Sequence, residues 1–485
     1  MGNVRRACHL LVDSGLYRTA AIFRPVRLAA LREKGSVGVM AFSSLDFIFR
    51  FLPVFLAAYY LTPPAFRNWM LLLGSVVFYA WGVQGRLWML GLLALLLLLV
   101  YGGGLLLAAA RRRRGLLAAM LAILFGCLAG FKYAGLWSGG RVALPLGISF
   151  YTFQMAAYLI EISRGSLAPE TSLLRLAAGL LMFPKLISGP LVEWNGMSRQ
   201  LRRRPYRAGA FDCGLREFVL GLGLKLLLAD RIGGLWTQLA NIGYESVSAP
   251  LAWLGLLAYS LQLYFDFYGY SKMAVGLGRM LGFSLPENFA HPYAARSMTE
   301  FWRRWHVTLS AWFRDYVYIP LGGGRRGLAV QLRNLLVVWV LTGIWHGASV
   351  NFLLWGLLLF VLLALEKLGL RKLLERSHIL CRLYMIPAIL LSWMLFAIPE
   401  PGRLAAFAGR LLSGWSWAAA DFQRALQQYG VLLGVGILLS TPLPVRLWQR
   451  IKCTPLGTLL LLAVFWAAVY CMAAGLNDPF LYFAF

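Results

Sequence analysis

Residues 87–114 read LWMLGLLALLLLLVYGGGLLLAAARRRR. More than twenty apolar residues in succession are enough to cross a bilayer, which takes about 20 at 1.5 Å rise each. The four arginines that follow have the form of a juxtamembrane anchor facing anionic headgroups. Similar runs recur near 47–63, 67–84, 115–135, 143–162, 174–193, 214–230, 251–282, 332–346, 349–367, 382–399, 429–443 and 456–475. The expected fold is therefore all-α and polytopic, with ten to thirteen transmembrane or re-entrant helices.

Composition agrees. The 485 residues are 60% hydrophobic and 14% charged, with a mean hydropathy of +0.67, whereas soluble domains carry about a quarter charged residues. The net charge of +28 does not point to nucleic acid. The basic residues cluster in short runs at helix ends (Arg111 to Arg114, Arg202 to Arg204, Arg325-Arg326, Arg446 to Lys452), the positive-inside pattern of a protein whose partners include membrane lipids. Six scattered cysteines lack any C-x-x-C spacing and suggest neither metal nor disulfide.

Residues 1–39 differ in kind, with seven basic and two acidic residues and no run of spanning length. Counting three spans back from cytoplasmic Arg111–Arg114 would require this +5 leader to be translocated, which short basic segments resist. The expectation is a disordered or mis-assigned leader, with translation beginning at Met40 and one membrane domain over 40–485.

Two histidines stand out, since ionisable groups within apolar segments usually mark substrate pathways or proton chemistry. Ser297-Met298-Thr299-Glu300 reads as a capping box. It opens a predicted amphipathic interfacial helix with Trp302, Trp305, His306, Leu309, Phe313 and Tyr316 on one face. Glu300, Arg303, Arg304, Arg314 and Asp315 occupy the other. His346 lies in an apolar stretch from Leu335 to Leu365, longer than one span, with Gly343, Gly347 and Ser349 around it. That pattern predicts a broken helix with the imidazole at the interruption, lined by protein or water. A neutral imidazole there can accept a proton, as a general base must. Each histidine alone also fits a satisfied core residue.

Asp266, in QLYFDFYGYSK (262–272), either supports a histidine or pairs with Lys272 or an arginine. Pro145–Gln154 and Phe183–Pro190 read as re-entrant segments lining a cavity. No Walker loop, H-E-x-x-H or G-x-S-x-G is present, which leaves chemistry without a covalent serine, a metal or nucleotide hydrolysis.

The motifs PLGISFYTFQ (145–154), FPKLISGPL (183–191), YFDFYGYSKMAVGLGRMLGF (264–283), PENFAHPY (286–293), TEFWRRWHVTLSAWFRDYVYIPLGG (299–323), TGIWHG (342–347) and PFLYFAF (479–485) resemble, in this order, the membrane-bound O-acyltransferase superfamily. Within it, the resemblance is to the bacterial alginate O-acetylation membrane protein group, over essentially Met40 to Phe485. It implies a ring of tilted helices around a tunnel in the cell membrane. His346 of the W-H-G motif would be catalytic, and His306 would matter on the cytoplasmic side. Relatives carry an asparagine directly after W-H-G-A where this chain has Ser349, so Asn351 inherits no role.

The implied reaction is transfer of acetyl from a cytoplasmic thioester, acetyl-coenzyme A or an acyl-phosphopantetheine carrier protein, to a hydroxyl acceptor, with no tightly bound cofactor. Trp305 and Trp345 would line the tunnel. Arg303 and Arg304 would meet donor phosphates or, equally, lipid headgroups. A separate extracytoplasmic O-acetyltransferase partner is implied. D-alanyl transfer to a cell-wall polymer is the neighbouring alternative within the superfamily, and a transporter or channel the alternative from another class.

Overall fold

Backbone amides in hydrocarbon have no water to bond, so long apolar stretches close their hydrogen bonds internally as helices. The computed structural model describes residues 41–134, 142–204 and 207–481, and among these helix is the regular structure and no strand occurs. The expected leader 1–39 and start at Met40 lie outside the described residues. In chain order, the principal helices include α1 (Trp88–Ala109), α2 (Arg113–Lys132), α3 (Ile148–Arg164), α4 (Ala208–Gly223), α5 (Asp230–Ile242) and α6 (Ala249–Met280). They continue with α7 (Met298–Arg304), α8 (Val307–Phe313), α9 (Leu328–His346), α10 (Val350–Leu365), α11 (His378–Ala397) and α12 (Pro455–Ala473).

Six of the described helices are long and apolar enough to cross a membrane: α1, α2, α9, α10 continued to Leu374, α11 and α12. A seventh candidate is Ala420–Leu439 with Pro442–Ile451, bent by 76°. The protein is thus a multi-pass, all-α membrane protein. Other apolar runs form shorter or more polar helices. The run over 174–193, for example, splits into Leu173–Leu180 and the single turn Phe183–Leu186.

Two close helix contacts organise the rest. α4 and α6 meet through glycines, where a Cβ on Gly221 would stand 2.5 Å from the Gly269 carbonyl oxygen and one on Gly276 would stand 2.5 Å from that of Gly214. Small residues at such crossings let backbones approach where lipid supplies no hydrophobic drive between helices. α9 and α10 form an antiparallel hairpin, with Gly343 against the Phe352 carbonyl and Gly356 against that of Trp339. The long apolar run around His346 is therefore two helices folded back on each other, not one span interrupted midway. His346 is the last residue of α9, at the turn.

The hairpin fixes the distribution of charge. Arg325-Arg326 precede α9 and Lys367, Arg371 and Lys372 follow α10, at the end away from the turn. Lys132, at the end of α2, lies over the Trp345 ring, so Arg111–Arg114, around the start of α2, share that same basic end.

Candidate active site

The segment carrying His306 departs from the expected continuous helix. Ser297 Oγ accepts from the Glu300 amide at 3.1 Å, as a cap should. The Glu300 carboxylate, however, takes the Arg296 amide (2.7 Å) and pairs with Arg304. A second cap comes from outside: buried Glu366 accepts from the amides of Met298 (2.5 Å) and Thr299 (2.9 Å) and from Thr299 Oγ1 (2.6 Å). A carboxylate at a helix N-terminus also opposes the positive end of its dipole. The helix then stops, because His306 adopts a left-handed conformation, φ 43°, at a cost of about 1–3 kcal/mol.

Asn288 holds this break. Its backbone carbonyl accepts from Val307 N (3.0 Å), and its side-chain oxygen accepts from Thr308 N (3.2 Å) and Thr308 Oγ1 (2.7 Å). The break turns the imidazole inward, facing Phe267 edge-on (ring centroids 4.7 Å apart) and stacking on Phe150 (6.2 Å). The residues expected on one apolar face are therefore divided between α7, the break at Trp305-His306, α8 and the π-turn Arg314–Tyr318.

Both histidines line a single cavity of about 790 Å³. On α9 its wall is the stripe Gln331, Leu335, Val338, Thr342 and His346. Fifteen residues separate the ends of this stripe, about 22 Å of helix. Arg303, Arg314 and Lys367 line the same cavity, and Lys367 lies on the basic side. Trp355 and Phe396 stand edge-on to the His346 ring at 4.9 and 5.1 Å. Beyond it lies a second cavity of about 70 Å³, lined by Lys132, residues 144–150, Ile187, Ser188, Trp345 and again His346. His346 is thus common to both cavities.

Of the residues singled out in the sequence, His346, His306, Trp305 and Arg303 line the large cavity, while Trp345 joins His346 in lining the small one. Arg304 lines neither; Glu300 holds it, and it donates weakly to the His291 carbonyl (3.5 Å). Asp266 also lines neither and supports neither histidine. It pairs with Lys225 at 2.7 Å and accepts from Leu481 N at 2.8 Å, while Lys272, one of the partners expected for it, pairs with Glu287 at 3.0 Å. The two re-entrant segments do pack together at the small cavity. The Lys185 amine donates to Gln154 Oε1, and Gly147 (φ 72°) admits the Leu186 carbonyl where a Cβ would stand 2.7 Å away. Asn351 ties α10 to α11 by donating to the carbonyls of Leu395 (2.9 Å) and Phe396 (3.2 Å).

Lys132, Lys225, Asn288 and Glu366 were not legible as site residues. Lys132 has the sequence signature of an interfacial anchor at a helix end, and the others act through partners far away in the chain. Among the described residues no group of three His, Cys, Asp or Glu side chains is arranged to hold a metal.

Comparison with known proteins bears on this geometry. Residues 142–400 match the model of the MBOAT, membrane-bound O-acyltransferase family. The probable alginate O-acetylase AlgI of Pseudomonas fluorescens is 38% identical over 80% of this chain and 78% of its own length. The peptidoglycan O-acetyltransferase of Helicobacter pylori is 32% identical over 76% and 77%. The teichoic acid D-alanyltransferase of Bacillus subtilis is 30% identical over 44% and 56%. The chain belongs to the membrane-bound O-acyltransferase family and is an acyltransferase of the membrane.

Proposed function

We propose that this enzyme moves an acetyl group from a cytoplasmic thioester to a hydroxyl acceptor, for O-acetylation of an extracytoplasmic polysaccharide of the alginate type. The observation that carries the reading is the place of His346 in the walls of both cavities. The larger runs along α9 toward the basic end, which the positive-inside rule assigns to the cytoplasm, and there Arg303 and Lys367 suit the phosphates of coenzyme A or a phosphopantetheine carrier. The acceptor hydroxyl approaches through the smaller cavity. His346 takes its proton as the oxygen attacks the acetyl carbon and returns a proton to the departing thiolate. A positioned base contributes about 10²–10⁴-fold, and holding both reactants in line adds a comparable factor. His306, from its left-handed perch in the donor cavity, orients the thioester.

The thioester is a co-substrate, and no tightly bound cofactor enters the scheme. Relatives named as alginate and peptidoglycan O-acetylating enzymes support acetyl as the group moved. We place the enzyme in the inner membrane, working with an extracytoplasmic O-acetyltransferase that delivers the group to sugar. Replacing His346 with alanine should abolish acetylation of the surface polymer while the protein still accumulates in the membrane; retained acetylation would remove His346 from the mechanism.

A further inference from the structure

Two consecutive residues at the end of α2 grip the end of α9. Tyr133 Oη donates to the Ile344 carbonyl at 2.5 Å, one of the last-turn carbonyls left without a partner inside a helix. The Lys132 ammonium group stands 5.3 Å from the centroid of the Trp345 ring, whose own centroid is 4.6 Å from that of His346. Lys132 lines the small cavity with His346 and forms no ion pair among the described residues. It is the one charged side chain in the described lining, and no carboxylate shares it. The same lining includes the start of α3, with Gly147, Ile148 and Ser149, so the partial positive charge of a helix N-terminus borders the same space. Two sources of positive potential thus converge on the small cavity beside His346.

We propose that Lys132 is a further catalytic residue, stabilising the negative charge that forms on the acyl oxygen during transfer. The proposal rests on the acyl-transfer reading of His346. As the acceptor oxygen bonds to the acyl carbon, its proton passes to His346, and the carbonyl π pair moves onto oxygen, giving an oxyanion held by Lys132. Collapse re-forms the carbonyl, breaks the carbon–sulfur bond and returns the proton from His346 to the thiolate. A fixed cation in a water-poor site is worth far more to such a charge than one in bulk water.

The test uses membrane vesicles carrying the full chain, with acetyl-coenzyme A as thioester, unacetylated alginate as hydroxyl acceptor and acceptor-dependent release of free thiol as readout, for wild type and the variants K132M, K132R, Y133F and H346A. The expected result for K132M is a fall in kcat of about 10²–10³-fold, the range for losing one oxyanion-stabilising group, with KM for the thioester within about twofold of wild type. K132R should recover at least a tenth of the wild-type rate, and Y133F, which keeps the charge, should lose far less than K132M. Wild-type kcat in K132M overturns the proposal, as does a defect confined to KM. So does equal loss in K132M, K132R and Y133F, which would mark a packing role. If K132M does not accumulate in the membrane, K132R decides alone, its inactivity at normal abundance counting against the proposal and its activity for it. Full activity in H346A would instead sink the acyl-transfer reading, whatever Lys132 does.

Discussion

Lys225, in the helical turn that follows α4, and Asp266 of α6 face each other at 2.7 Å, both side chains all but excluded from solvent. Lys225 also reaches Asp230 at 2.5 Å. The two carboxylates in turn hold the chain's C-terminal segment, Asp230 through the Asp478 amide (3.2 Å) and Asp266 through that of Leu481 (2.8 Å). Phe480, between them, stacks on Tyr270 at 4.5 Å. Removing the cation leaves two buried carboxylates uncompensated. We expect K225M to lose about 3–5 kcal/mol of stability, the cost typical of breaking a buried pair. The triple change K225M/D230N/D266N should recover part of it. Unfolding in detergent by heat or denaturant checks this, and K225M melting with wild type would refute the pair's structural role.

His306 separates backbone from side chain. Glycine adopts φ 43° without strain, so H306G should fold at least as well as H306A. If the imidazole orients the thioester, both variants should lose activity alike, by about 10²-fold, the cost of misplacing a reactant by roughly 1 Å. Thioester turnover and thermal stability, measured side by side, check this. Activity restored in H306G over H306A would mean that the bend alone matters.

The hairpin glycines give a third expectation. A Cβ at Gly356 would stand 2.4 Å from the Trp339 carbonyl oxygen and one at Gly343 2.5 Å from that of Phe352, so backbones must part. G343A and G356A should each cost about 1–3 kcal/mol. G343A lies one turn from His346 and should cut turnover more than its loss of stability explains. Equal turnover in the two variants would argue that the hairpin does not aim the imidazole.

Arg303 and Arg304 are adjacent but differ in surroundings. R303A should raise the thioester KM, more at low than at high salt, because exposed charges are screened. R304A should leave KM unchanged and cost at most about 1 kcal/mol, the range of a partly exposed pair. Initial rates at two ionic strengths decide between this and a lipid-headgroup role for both.

Local pattern accounts for much of what the sequence made legible. Apolar length and flanking arginines predicted helices such as α1, α2 and α12, and the placing of two ionisable groups in apolar segments, together with the resemblance, pointed to the two histidines that the structure brings to one cavity. The break at His306 escaped because its cause, Asn288, lies eighteen residues upstream and acts only after the chain has folded back. Periodicity alone favours one continuous helix there. The hairpin at His346 read as an interrupted span because close packing by Gly343 and Gly356 is a property of the pair. For Asp266 the sequence offered a histidine, Lys272 or an arginine, and not Lys225, which reaches it only once the helices have packed.

Glu366 has a wider consequence. It sits just beyond α10, whose other end adjoins the turn at His346, and its carboxylate pins the start of the segment bearing His306. One rigid rod therefore links the two imidazoles mechanically. A displacement of that rod along its axis is transmitted to both ends at once, so the two histidines would advance or retreat in concert.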